Sequence, residues 1–281
     1  MGVAATGWED LAPARVRTLL AATAFGRPYI FRETTGSTSD DARALAAAGA
    51  PEGAVVVADR QTAGRGRLGH VWHSPPSCNL YLSLVLRPAV APARVAGLTL
   101  AVAVALAEAV EKLAPGPALL RWPNDVLLDG TAAEGGGPRK VAGVLTELEG
   151  DAAAVRHVVV GIGVNANLPL EDLPPDVAGI ATSLQAARGG EAVDRGALLV
   201  AVLDRVHARY AQFVAEGLAP LRAAWSVRAP ALGRTVEVRE GDGGAPPWEG
   251  VAEGLDDDGA LLVRLADGSL RRVVSGEVRE R

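Results

Sequence analysis

Apolar and polar positions along the chain follow two periods, and these place most of the elements. Residues 8–25 have helical spacing and lead into a short β-type stretch, Tyr29-Ile30-Phe31. Gly36-Ser37-Thr38-Ser39-Asp40-Asp41 then opens an Ala-rich helix ending near Gly49, with two overlapping capping-box patterns, Ser37 with Asp40 and Thr38 with Asp41. The apolar runs 54–58 and 79–86 predict buried strands. Residues 95–113 are apolar on nearly every side until Glu108, the pattern of a helix packed centrally on a sheet. Residues 119–128 predict a strand broken at Pro123 and resumed, followed by a turn at Asp129-Gly130 and a Gly-rich loop tip at 131–138. Strands over 140–148 and 155–164 and a helix over 195–216 complete the first region.

After Pro230 the pattern changes to short strands separated by turn signals, at 235–239, 249–255, 260–265 and 269–274. These predict a small all-β module. The expected organisation is therefore α+β, with a mixed-sheet domain over 1–229 and the small domain over 230–281.

Composition narrows the classes. The chain has 281 residues, 49% of them hydrophobic and 22% charged, which predicts a sizeable core rather than a disordered segment. Its net charge of -5 argues against gripping DNA through a basic surface. Residues 230–281 hold 7 basic and 11 acidic side chains, so the larger region is nearly neutral. Cys78 is the only cysteine, which excludes an intrachain disulfide or a cysteine zinc site and fits a reducing cytoplasm. The longest uncharged run of the apolar helix, 95–107, is too short to span a bilayer. Met1-Gly2-Val3-Ala4-Ala5-Thr6 matches a loose acylation pattern, but no basic cluster follows to strengthen an anchor.

Three segments carry candidate chemistry. Gly64-Arg65-Gly66-Arg67-Leu68-Gly69 formally fits a dinucleotide fingerprint. However, it runs into His70-Val71-Trp72-His73-Ser74-Pro75-Pro76, which cannot start the helix such a site needs. What it offers instead is a pliable backbone with two guanidiniums, suited to phosphate or carboxylate, with a solvated surface loop as the alternative. Arg121-Trp122-Pro123-Asn124-Asp125, with Lys140 fifteen positions beyond Asp125, offers either catalysis or a plain structural ion pair. Gly161-Ile162-Gly163-Val164-Asn165 ends a strand in small residues, leaving room for something flat or simply making a turn. The four histidines give no metal-ligand set, and there is no G-x-S-x-G.

Taken in order, residues 61–69, Trp72, Ser74, 79–83, 121–125, 139–143 and 161–165 resemble the biotin protein ligases, from about Ser37 to the C-terminus. The resemblance implies that family's fold, a mixed-sheet catalytic domain with a small SH3-like β-barrel domain at the C-terminus, and its two-step reaction. Biotin and ATP, taken with Mg2+, give biotinyl-5'-AMP and pyrophosphate, and a lysine of a biotin carboxyl carrier domain then receives biotin. It implies that Ser37, Thr38, Ser39 and Gln61 hold the ureido head of biotin, although relatives carry Asn where this chain has Ser39. Arg65, Gly66 and Arg67 belong to a loop that closes over the reactants, with Arg67 and Lys140 at the junction of carboxylate and phosphate. Trp72, Asn124 and Asn165 lie at the nucleotide, Asp125 orients or deprotonates the incoming lysine, and Arg281 reaches the nucleotide from the small domain. Only 28 residues precede Tyr29, so no winged helix and no DNA binding are expected, nor a membrane partner, and the assembly is a monomer or weak homodimer. The alternatives are a lipoate or octanoate ligase or transferase of the same fold, a non-catalytic biotin- or nucleotide-binding module, and a dehydrogenase.

Overall fold

The computed structural model describes residues 7–130, 135–151, 153–241 and 246–281. The acylation pattern at 1–6 and the first four residues of the 131–138 insert lie outside the described residues.

Seven strands form one mixed sheet: β1 (Tyr29–Thr35), β2 (Val55–Gln61), β3 (Leu80–Leu86), β4 (Leu119–Arg121), β5 (Asp125–Asp129), β6 (Pro138–Gly150) and β7 (Val155–Val164), in the order β1-β2-β3-β7-β6-β5-β4. β1 and β2 are parallel, and every other pairing is antiparallel. The helix between the parallel strands, α2 (Thr38–Ala47), packs one face of the sheet, as a parallel crossover requires. Ser37 caps it by accepting from the Ser39 N–H, without the reciprocal bond of a capping box. The acidic partners are engaged elsewhere: Asp41 accepts from Thr35 and Asp40 from two arginines.

The opposite face carries α3 (Val95–Glu111), α5 (Arg195–Glu216) and α6 (Ala219–Ser226), with the shorter α1 (Pro13–Leu19) and α4 (Leu184–Ala187) at the periphery. Pro92–Glu111, which includes the charged residues at both ends of the uncharged 95–107 run, is long and apolar enough to cross a membrane by length and composition. Its apolar surface is instead covered by protein, because Leu98, Leu100, Val102, Val104 and Leu106 are all buried in the common core.

Pro123 does not interrupt a single strand. Trp122-Pro123-Asn124 is the turn of the β4–β5 hairpin, with Arg121 paired to Asp125. The C-terminal region is a five-stranded antiparallel sheet of β8 (Thr235–Glu240), β9 (Trp248–Leu255), β10 (Leu261–Arg264), β11 (Leu270–Val273) and β12 (Gly276–Glu280), in the order β11-β10-β9-β8-β12. β12, absent from the sequence pattern, is short and carries three charges in five residues, so it lacks an apolar run. The buried Trp122 indole donates to the Gly259 carbonyl at 3.0 Å, joining the two sheets through one continuous core.

A buried charge cluster ties the N-terminal segment to the sheet. Arg195, 1% exposed, donates to Asp10 (2.6 Å), Asp59 (2.9 Å) and the Asn79 carbonyl (3.2 Å). Burial opposes its charge, but the bonds to both aspartates outweigh that and raise its pKa. Arg195→Leu strands two buried carboxylates and is expected to cost about 3–5 kcal/mol, read as a lowered urea midpoint. A loss below about 1 kcal/mol would show that the cluster does not hold this end of the fold.

Candidate active site

The three segments singled out in the sequence meet at one cleft on the α2 side of the sheet. Ser37, Thr38, Ser39, Gln61, Arg65, Gly66, Arg67, Trp72, Asn124 and Lys140 all line it. β2 ends at Gln61, and the loop that follows folds back on itself, Gly66 N–H donating to the His70 carbonyl at 2.7 Å and Trp72 N–H to Gly64 at 3.0 Å. A single 3-10 turn, Arg67–Gly69, stands where a dinucleotide fold would start a helix.

One end of the cleft is a chain of small polar groups. Gln61 Oε1 accepts from the Thr38 N–H (2.9 Å) and hydroxyl (3.1 Å), and its Nε2 donates to Ser74 (3.0 Å). Ser83 Oγ lies 2.8 Å from Thr38 Oγ1 and 3.1 Å from Ser39 Oγ. The sequence reading included Ser83 in the 79–83 motif but gave it no role; it is the one serine of the apolar strand Leu80–Leu86. Its buried position among Leu, Tyr and Val was the available signal.

The floor is made by glycines. A Cβ at Gly161 would press on Ser39 Oγ at 2.8 Å, and one at Gly163 would stand 2.4–2.7 Å from three atoms of the Trp72 indole, well inside contact distance. The indole therefore lies directly on the backbone of β7, with Gly143 of the adjacent β6 register beneath its edge. Gly163→Ala is expected to lift the ring, changing the part of the tryptophan emission that Trp72→Phe abolishes. Emission identical to the parent protein would show that the ring is not seated there.

Cations come from two directions. Lys140 Nζ is 2.6 Å from Asp125 Oδ1, an ion pair without hydrogen-bond angles, and 5.2 Å from the Trp72 ring centroid. Lys140 and Gly143 are three positions apart, a spacing that puts side chains on opposite faces of a regular strand. The β5–β6 register shifts between Val126 and Leu127, which pair with Ala142 and Lys140, so Val141 is the extra residue of a bulge. That bulge turns Lys140 onto the Gly143 face, its Nζ about 3.2 Å from where a Gly143 Cβ would stand.

Arg67 makes two long hydrogen bonds, to Asn124 Oδ1 (3.4 Å) and the Gly276 carbonyl of β12 (3.3 Å). Among the described residues it has no ion-pair partner. Burial pushes its pKa below that of an ordinary guanidinium, more than Asp125 and Glu277 nearby restore. Arg65, in contrast, is held by Asp40 (2.6 Å) and Glu147 (3.1 Å), neither of which the sequence reading selected.

Three proposed residues stand off the cleft lining, Asp125 reaching it only through its ion pair with Lys140. Asn165 is buried, donating from Nδ2 to the Thr182 carbonyl (3.0 Å), and so braces the segment whose Thr182 N–H donates to the Lys140 carbonyl (2.9 Å). Arg281 pairs with Glu249 (2.8 Å) and Glu237 (3.6 Å) within the small sheet, which reaches the loop at Gly276 and through a His70–Glu277 contact of 3.1 Å. Cys78 takes no part: burial pushes its thiol up to about 11, so it stays protonated at neutral pH. No group of three or more metal-binding side chains occurs among the described residues.

A mixed seven-stranded sheet with this cleft, followed by a small antiparallel sheet, defines the class of biotin and lipoate protein ligases. Residues 33–165 match the Biotin/lipoate A/B protein ligase family, and residues 231–279 match the Biotin protein ligase C terminal domain. The chain is 39% identical over 234 residues to the Biotin--[acetyl-CoA-carboxylase] ligase of Paracoccus denitrificans, covering 82% of this chain and 91% of that one. It is 35% identical over 268 residues to the Bifunctional ligase/repressor BirA of Bacillus spizizenii, covering 95% and 78%. The structure of the biotin protein ligase from Aquifex aeolicus, solved in complex with biotin and ATP, superposes with a TM-score of 0.72 at 29% identity over 90% of this chain and 97% of that one. This chain belongs to the biotin protein ligase family, and it is a ligase.

Proposed function

We propose that the chain joins biotin to ATP and passes the biotinyl group to a lysine of a biotin carboxyl carrier domain of a carboxylase. The observation that carries this is the meeting of Arg67 and Lys140, 73 positions apart, beside one polar pocket in a single cleft. A ureido group offers two N–H donors and a carbonyl acceptor, and the Gln61, Thr38, Ser39 and Ser83 network supplies both kinds of partner. The Aquifex relative's complex with biotin and ATP supports the same pair of ligands here.

In the first step a biotin carboxylate oxygen attacks the α-phosphorus of ATP, and the bond to the bridging oxygen breaks to release pyrophosphate. Two anions must approach each other, so the only partly compensated charge of Arg67 is the first requirement. Lys140 already has Asp125 as partner. A compact ammonium can leave that carboxylate to follow charge onto the departing pyrophosphate. Asp125 is then free to accept a proton from the incoming carrier lysine, whose amine attacks the acyl carbon and expels AMP. Trp72, Asn124 and, indirectly, Asn165 shape the nucleotide end.

Mg2+ enters with the phosphates as MgATP, since one or two carboxylates plus substrate oxygens suit that ion better than a protein cage. Residues 1–229 form the catalytic unit and 230–281 a support for its loop. Net charge -5 supports a ligase that does not grip DNA, and the single cysteine suits a cytoplasmic setting, where the chain acts as a monomer or weak homodimer.

Lys140→Ala is expected to lower biotin-dependent ATP–pyrophosphate exchange by at least about a hundredfold, since a charge contact at the reacting phosphates is lost. Undiminished exchange would overturn the role given to Lys140. Incubation with labelled biotin, MgATP and an acceptor domain tests the whole reaction through covalent label.

A further inference from the structure

Arg65 and Arg67 sit two residues apart in one loop yet have opposite electrostatic surroundings. The Arg65 Nη1 is 2.6 Å from Asp40 Oδ1, and its Nη2 is 3.1–3.2 Å from both Glu147 oxygens. Arg43 of α2 reaches the same two acids, at 2.7 Å to Asp40 and 2.6 Å to Glu147. The fixed part of this square, two carboxylates and one guanidinium from α2 and β6, carries one net negative charge. Adding Arg65 neutralises it.

We propose that Asp40 and Glu147 are positioning residues that hold the glycine-rich loop over the cleft through Arg65, so that Arg65 anchors the loop while Arg67 alone meets the reacting anions. Backbone bonds within the loop fix its shape but not its place over the cleft, and a tether to Asp40 and Glu147, which do not line the cleft, holds it there without using a group the reactants need. Burial opposes ionisation of Asp40, but the bonds from Arg65 and Arg43 outweigh it and keep its carboxyl below the usual range. With the ligase reading above, on which this part rests, the consequence is retention of biotinyl-5'-AMP, because a loop held closed keeps water and stray amines from the mixed anhydride.

The side chains are partly exposed, at 37% for Arg65, 49% for Asp40 and 28% for Glu147, so solvent screening weakens the tether. In the double variant Asp40→Asn, Glu147→Gln, amide hydrogen exchange over 65–70 is expected to quicken about fivefold, and free adenylate released without carrier to rise by a similar factor. Biotin-dependent pyrophosphate release stays within about twofold, since neither acid lines the cleft. Arg65→Gln gives the same two changes and leaves the Arg43 pairs intact, so it carries the test if the double variant does not fold. Combining all three substitutions adds nothing further.

A purely structural role is separated by salt: in the unsubstituted protein loop protection falls towards 1 M salt, whereas in the variants it does not change. Unchanged exchange and adenylate release in both variants overturn the tether. A failure of the unsubstituted protein to release pyrophosphate with biotin overturns the ligase reading instead, while the loop-exchange comparison still stands.

Discussion

Arg67 is a half-buried guanidinium without an ion-pair partner among the described residues, and the cleft is organised around that imbalance. Leaving a cation under-compensated costs stability, because burial removes its water without returning a carboxylate. The two neighbouring cations show the contrast, Lys140 being matched by Asp125 and Arg65 by Asp40 and Glu147. The site thus holds one free positive charge, directed by Asn124 and by the Gly276 carbonyl, at the place where an acid and a nucleotide phosphate would meet.

The remaining features give that charge a shaped surrounding. Gly161 and Gly163 remove the side chains that would fill the floor, so Ser39 and Trp72 lie against bare backbone. The small domain is part of the same arrangement. Trp122 locks it to the β4–β5 hairpin, and the start of β12 supplies one of the two acceptors that hold Arg67. Moving that domain would move the guanidinium.

Much of this was legible because local rules and tertiary demand agree. The strand at 155–164 and the helix at 195–216 have the extents their patterns predict, since each is a long, uninterrupted segment with one period. The hairpin at Pro123 was hidden because a three-residue turn between two short apolar runs has the same pattern as one interrupted strand. The roles of Ser83, Asp40 and Glu147 were hidden for another reason. A hydroxyl in a strand and carboxylates on an exposed face are common anywhere, and only their neighbours make them particular.

By itself the sequence determined the two-part organisation, the helix-free glycine-arginine loop and the residue types able to bind anions, because periodicity, proline and glycine act over a few residues. The tertiary structure alone decided which charge is free. The bulge at Val141 turns Lys140 into the cleft, and α2 and β6 bring two acids to Arg65 but none to Arg67. Electrostatic compensation depends on distances of a few ångströms between segments far apart in the chain, and no local pattern encodes them.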